Sequence, residues 1–420
     1  MAVLQVFEHQ RVPVTDRPAT QAGPNLSTAQ GALLRQVERR LPTGAFTWGH
    51  ESVKFAQFCG VVALGRDTLE ILPKVYADGS DPEASRNVLV RMLHIARALP
   101  PLPHGLARLD LQRTDLLDCF IRHFCADLSQ QLRKGMIRSY VRRVENLPVL
   151  RGKLLIGRQL RLNNVHKEKV WCEHDELISD NPPNRIFKCV LRRLLRIARS
   201  HATRRGVNEL LFQFDSIADT AAIASDVDRV VLDRTTKRFE PAMRFCRWIL
   251  AGSSPDVASG ENEHLALLFD MNRLFETVVA RQIQPVAARK GYRVRTQGPQ
   301  KRLVRNHDTG EEIFTLKPDI TLLDENGDVA MILDAKWKLL DGGSRKLGVS
   351  QADLYQMVGY SGRYRCGELA LVYPRTERFE DKFVDLEVLG SATRVRICSV
   401  DLRQLTSRDW SMDWSAGLLP

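Results

Sequence analysis

Along this chain, stretches of strict apolar/polar alternation give way to stretches where apolar residues recur every three or four positions. The switches mark the predicted strands and helices. The sharpest alternation lies in residues 314–338, FTLKPDITLLDENGDVAMILDAKWK. Met331, Leu333, Ala335 and Trp337 fall on one face of its second half, and Ile332, Asp334, Lys336 and Lys338 on the other. In its first half Phe314, Leu316, Ile320 and Leu322 form the apolar face, while Lys317, Asp319 and Thr321 share the polar one. Asn326-Gly327 between them is a strong signal for a two-residue type I′ hairpin turn. That turn would pair Glu325 with Asp328 and set Asp319 directly opposite Asp334.

Before this hairpin, residues 2–8 read as a short strand, 27–40 as a helix and 48–75 as strands that include a hairpin about Gly65-Arg66-Asp67. Residues 81–98 and 114–135 follow as amphipathic helices, the first stopped by Pro100, Pro101 and Pro103 and the second by Gly135. Alternation returns in 136–156. Asp180 with Pro182-Pro183 then opens a helix over 184–201. Gly252-Ser253-Ser254-Pro255 and Gly260 read as a linker, and 263–281 as a long helix apolar on more than one side. After the hairpin come a helix begun by Ser350, with Asp353 in its capping box, and strands at 368–373, 383–389 and 393–400. Trp410 and Trp414 are expected to pack back on this part. The fold class is mixed α/β, with the division at residues 1–255 and 256–420.

The hairpin carries candidate chemistry. Directly opposed side chains sit roughly 5 Å apart, where like charges are destabilising. A plain structural hairpin would avoid Asp319 against Asp334. A divalent cation rewards the pair, since Mg²⁺ takes one or two carboxylates together with water and phosphate oxygens. Lys336, on the same face, can contact a phosphate. This is the equipment of metal-assisted phosphodiester hydrolysis.

Charge supports an anionic partner. The chain has 420 residues, a formal net charge of +12 and a pI of about 9.5, which favours nucleic acid first and an acidic protein surface second. The basic residues concentrate in Arg138, Arg142, Arg143, Arg151, Lys153, Arg158, Arg161, Lys167 and Lys169. A second row, Lys188, Arg192, Arg196 and Arg199, lines one helix face. No apolar run approaches the roughly 20 residues that span a bilayer, and the opening segment lacks the pattern of a signal peptide. The eight cysteines form no CxxC pair, so a reducing cytoplasm without disulfides or structural zinc is expected. Cys119, His123 and Cys125 lie on an apolar-periodic helix and read as packing residues.

Pro318-Asp319 followed by Asp334-Ala335-Lys336 resembles the PD-(D/E)xK nuclease motif, and Gln356-Met-Val-Gly-Tyr360 resembles the QxxxY element of its RecB-like branch. The resemblance implies metal ligation by Asp319, Asp334 and the Ala335 carbonyl, and Lys336 beside the scissile phosphate. It implies Gln356 and Tyr360 positioning the lysine or the DNA, and an acid on the preceding helix as a further ligand. Glu276 is the best match for that acid and Asp270 the runner-up.

A wider similarity extends past this core. GVVALGRDTLEILPKV, RGKLLIGRQLRLN, PNRIFKCVLRRLL and LLFDMNRLFE resemble the McrC family, the nuclease subunit of McrBC-type modification-dependent restriction systems. What that implies is a Mg²⁺-dependent (or Mn²⁺-dependent) endonuclease. It would dock through its N-terminal half on a hexameric McrB-like AAA+ GTPase, which reads double-stranded DNA modified at cytosine. No G-x-x-x-x-G-K-[ST] loop occurs, so GTP belongs to the partner. The stretch 138–169 is a candidate docking surface or DNA path. Two alternatives stay open: a stand-alone RecB-like DNA nuclease, and a catalytically silent adaptor of the ring.

Overall fold

The computed structural model describes residues 3–16, 24–38, 43–65, 67–75, 81–96, 115–163, 168–254, 264–376 and 383–402, together with Leu41, Val165 and Phe379. The prolines at 100, 101 and 103, Lys167, Gly260, Trp410 and Trp414 lie outside the described residues. Contacts divide the chain into two compact units. One comprises Met1–Pro101, Ala107–Leu116 and Gly252–Pro420, the other Leu102–Leu106 and Leu117–Ala251. The chain returns from the second unit to the first between Ala251 and Gly252. The first hundred residues, however, fold with the C-terminal part rather than with 117–251. Strand pairing explains this: His264–Asp270 joins Phe58–Leu64 antiparallel, and Val3–Phe7 joins Asp67–Leu72 parallel, in one five-stranded sheet.

That sheet corrects the helix expected over 263–281. HLALLF is strand, and the helix is Met271–Arg289. An apolar run buried on several sides fits a central strand as well as a buried helix. The close approach is sealed at Gly60, where a Cβ would lie 1.9 Å from the Leu267 carbonyl oxygen. Ser253–Ser254, expected in a linker, forms the edge strand beside His264 and Leu265. Residues 52–55 do not join the hairpin of Phe58–Leu64 and Asp67–Leu72. They pair with Arg11–Pro13 and Phe46–Trp48 in a separate small sheet.

A six-stranded mixed sheet carries the core hairpin. Its order is Arg293–Thr296, Ile320–Leu323, Val329–Ala335, Glu368–Pro374, Arg394–Val400, Phe383–Glu387. Val329–Ala335 and Glu368–Pro374 run parallel, which requires a crossover, and the helix Gln351–Tyr364 supplies it. Met357, Tyr360 and Tyr364 of that helix cluster with Ile332, Leu369, Leu371 and Tyr373. The helix Met271–Arg289 packs on Arg293–Thr296 and Val329–Ala335. Both faces are therefore covered, and Met331 to Ala335 are all buried in succession.

The second unit combines the helices Leu116–Leu132, Pro182–Ile197, His201–Gln213 and Glu240–Gly252 with a sheet of Ser139–Leu147, Val170–Ile178 and Lys153–Leu154. Stacked Phe124 and Phe245, 4.8 Å apart, and Phe187 against Phe239 fill its helical core. Cys119, His123 and Cys125 are buried there. The N-cap before Pro182 is Asn181, whose side chain accepts from Asn184 N, and Asp180 instead pairs with Arg185 at 2.7 Å. Part of the basic row is structural. Lys188 is buried with Nζ donating to the Ile217 carbonyl, and Arg192 pairs with Asp219 at 2.9 Å.

Candidate active site

Pairing of Ile320 with Leu333 and of Thr321 with Ile332 continues to set Asp319 opposite Asp334, the register expected from the turn. The turn itself differs. Gly327 N donates to the Asp324 carbonyl, Asp324 N to the Asp328 carbonyl, and Gly327 takes φ 89°. This is a three-residue loop with glycine at its left-handed position rather than a two-residue I′ turn. It shifts Leu323 onto Val329, and a bulge beyond Leu322 restores the register before the acids are reached. Phe314 also departs from expectation. It lies in a separate two-stranded wing, Lys301–Arg305 with Glu312–Leu316, at φ 58° and exposed.

The structure gathers the expected residues. Asp334 is buried, and its Oδ2 ion-pairs with Lys336 Nζ. Asp319 Oδ2 accepts from the Ala335 backbone N–H at 3.0 Å. Lys336 Nζ donates to Gln356 Oε1 at 3.0 Å, Gln356 Nε2 to the Tyr360 hydroxyl at 2.7 Å, and that hydroxyl to the Lys317 carbonyl at 3.2 Å. Glutamine and tyrosine, one helical turn apart, thus tie the lysine to the strand that bears Asp319. Glu276 reaches the same place from the long helix. Gln297 Nε2 donates to its Oε1 and, at 3.4 Å, to Asp319 Oδ1. Asp270 instead caps that helix, accepting from Asn272 N and Arg273 N.

Gln297 carries no sequence signal. It follows an edge strand at φ 55°, with its N–H on the Asp319 carbonyl. Glu8 is a second residue outside the expected set. Its buried carboxylate accepts from Trp337 Nε1 at 2.9 and 3.0 Å, bracing the segment just after Lys336. Trp337 in turn meets Phe275, the neighbour of Glu276, edge-on at 5.4 Å. Asp353 closes the surround, taking Lys338 at 2.9 Å.

Electrostatics are those of a site short of positive charge. Burial and then the facing Asp334 and Glu276 push the Asp319 carboxyl well above the ordinary range. Burial also raises Asp334, against the pull of Lys336, and raises Glu276. Burial alone would lower Lys336, but Asp334 beside it raises it, so its ammonium is held charged. Among the described residues no group of three or more His, Cys, Asp or Glu side chains is gathered tightly enough to ligate an ion as placed. The donors nonetheless suit a hard cation. They are all oxygen and mutually repelling, and the Lys336 ammonium beside Asp334 Oδ2 is the cation the site itself supplies.

The chain was compared with known proteins. None of the curated proteins matches it. Among solved structures, it is similar over 99% of both chains, at 22% identity and TM-score 0.77, to a chain of the refined half-complex from a tetradecameric assembly of Thermococcus gammatolerans McrB AAA+ hexamers with bound McrC. It is also similar to a chain of the Thermococcus gammatolerans McrBC complex, at 25% identity and TM-score 0.55, over 70% of this chain and 89% of that one. The family model for the McrBC 5-methylcytosine restriction system component matches residues 53–374, so the chain belongs to that family.

Proposed function

We propose that this chain is the DNA endonuclease subunit of an McrBC-like restriction complex. It hydrolyses phosphodiester bonds of duplex DNA carrying modified cytosine and docks on a separate AAA+ GTPase ring. The observation that carries this reading is Asp319 facing a buried Asp334, with Lys336 held beside them by Gln356 and Tyr360. The similar assemblies, which pair McrC with McrB AAA+ hexamers, support the partner.

Asp319 and Asp334, with Glu276 and the Ala335 carbonyl, would hold Mg²⁺ or Mn²⁺. The ion, when bound, supplies Lewis acidity toward phosphoryl oxygens. The chain's own residues do the rest. Gln356 Oε1 accepts a hydrogen bond from the Lys336 ammonium and Asp334 takes another, which leaves its third N–H for charge that develops on the phosphate. Tyr360 fixes Gln356 by donating to the Lys317 carbonyl and accepting from the amide. Gln297 holds Glu276 and Asp319 together against their repulsion. The sheet of Ser139–Leu147 and Val170–Ile178, with exposed Tyr140, Leu160 and Val165 around it, suits docking on the ring.

The test reconstitutes the chain with its GTPase partner, GTP, Mg²⁺ and a cytosine-methylated duplex. Asp334→Ala and Lys336→Ala are each expected to reduce cutting by at least a thousandfold, while co-purification with the ring and stimulation of GTP hydrolysis persist. Retained cutting by both variants would sink the assignment.

A further inference from the structure

The wing of Lys301–Arg305 and Glu312–Leu316 is not used by the mechanism above, yet it is fastened to the same helix. The Tyr364 hydroxyl donates to the Pro299 carbonyl at 2.5 Å and lies 3.2 Å from that of Leu316. Arg363 Nε donates to the Arg302 carbonyl at 2.7 Å, and the Lys301 ammonium lies 4.7 Å from the centre of the Tyr364 ring. Tyr364 packs edge-on against Tyr360, so one helix turn braces the catalytic lysine's support and the next braces the wing.

Phe314 stands out on this wing. A bulky residue at positive φ is a genuine backbone outlier, and such strain persists where something other than folding selects it. Phe314 holds φ 58° within a strand and leaves its ring 69% exposed. At that exposure little apolar burial offsets the strain. Around it the charge is cationic: Lys301, Arg302, Lys317 and Arg363 surround the wing's base, while Arg305 is neutralised by Glu312 at 2.6 Å. Asp308 and Glu311 lie at the far turn. Phe314 lies five positions before Asp319, at most roughly 18 Å away even along a fully extended chain. That is within about half a turn of B-DNA.

We infer that the wing is a duplex-DNA contact, in which Phe314 enters a groove or a base step within about half a helical turn of the scissile phosphate. Lys301, Arg302, Lys317 and Arg363 carry the flanking phosphates. An exposed aromatic set among cations is the arrangement that stacks bases while tracking the backbone. A protein partner would be met by a broader apolar surface than Phe314 with Leu303 and Val304 provides. The inference rests on the nuclease reading, and its test uses a readout that does not need cutting.

Full-length Asp334→Ala chain is titrated with a 30-base-pair duplex bearing 2-aminopurine at successive positions. Phe314→Ala and Phe314→Gly are made in that background. We expect a 2-aminopurine fluorescence rise at one or two adjacent positions, abolished by both substitutions and kept by Phe314→Tyr. Duplex affinity should fall on the order of tenfold. Phe314→Gly should leave Tm unchanged or raised, because it relieves the positive φ. Arg302→Ala and Lys317→Ala should each lower the salt slope of binding by about one. Unaltered fluorescence and affinity in both Phe314 variants would overturn the inference, as would a Tm loss above about 5 °C, which would mark the ring as structural. Unaltered DNA binding with lost association to the GTPase ring would assign the wing to the protein partner instead. Should the unsubstituted chain fail to cut in the reconstituted complex, the nuclease reading falls, while the wing is still judged by fluorescence alone.

Discussion

The strand pair Ser139–Leu147 with Val170–Ile178 and the strand pair Ile320–Leu323 with Val329–Ala335 both carry acids, in opposite company. In the first, Glu173 and Glu176 meet cations in water. Arg143 pairs with Glu176 at 3.1 Å and Arg142 with Glu173 at 3.3 Å, all at least partly exposed. The basic stretch 138–169 is thereby partly neutralised by the strand it folds against, which its composition conceals. In the second, half-buried Asp319 meets Asp334, which is 1% exposed. Exposed opposite charges on a strand pair need no explanation beyond solubility and cost little to remove. Buried like charges cost stability, and a fold keeps them only for what they bind. The difference teaches that environment, rather than the count of acids, marks the functional pair.

Removing one of the two facing acids should have the largest effect. Asp319→Asn is expected to lower cleavage at least a thousandfold while raising the stability of the metal-free chain at pH 8. The sign follows from the shift. The folded chain keeps the Asp319 proton at pH values where the unfolded chain, with an ordinary carboxyl near 3.9, has lost it. Its contribution to stability is therefore complete below about pH 4 and lost as pH rises through the raised folded value. Asp334 and Glu276, also raised, act in the same direction. Thermal melts in EDTA at pH 5 and pH 8 should show a smaller loss of Tm for Asp319→Asn than for the unsubstituted chain. Equal losses would mean that the two acids do not repel, and the contrast between the strand pairs would lapse.

How much of this was legible beforehand depended on the range of the interaction involved. The register of Asp319 and Asp334 was legible because both strands alternate and a short loop joins them. The expected two-residue turn was wrong, and a bulge at Leu322 compensated for it. Lys336, Gln356 and Tyr360 were legible as spacings on one strand and one helix. Phe314 was not, because alternation cannot distinguish a strand of the main sheet from one that has left it at a positive φ. HLALLF was misread because a short apolar run fits a buried strand or a buried helix equally. The union of residues 1–101 with the C-terminal sheet rests on pairings more than 200 residues apart, such as Val62 with Ala266, and local periodicity carries no trace of those. Glu8 acts through a hydrogen bond made possible only by that long-range assembly, and Gln297 through bonds to Glu276 and Asp319 that no local spacing announces.

A smaller effect is expected at Gln297. Its amide is what separates two acids that burial and mutual repulsion already disfavour in charged form. Gln297→Leu keeps the volume and removes the donor. Cleavage should fall about tenfold, the range for an interaction of roughly 1.4 kcal/mol, with more divalent cation needed for half-maximal rate. A metal titration of the cleavage rate checks this. An unchanged half-maximal concentration would place Gln297 outside the site's charge balance.

The smallest effect should come from the wet pair. A double-mutant cycle of Arg143→Ala and Glu176→Ala, read from thermal midpoints of the full chain, is expected to give a coupling of about 0.2–1 kcal/mol. That coupling should vanish in 1 M salt, where the Debye length is about 3 Å, because both side chains are more than 40% exposed. The buried pair of Lys336 and Asp334 provides the counterpart. With Asp334 1% exposed, salt cannot enter between the charges, and the coupling measured by the matching cycle should persist at 1 M. A surface pair that resisted salt, or a buried pair that yielded to it, would show that the sheet around Asp334 is wetter than its packing indicates. The case for a carboxylate pair held in reserve for a cation would weaken in proportion.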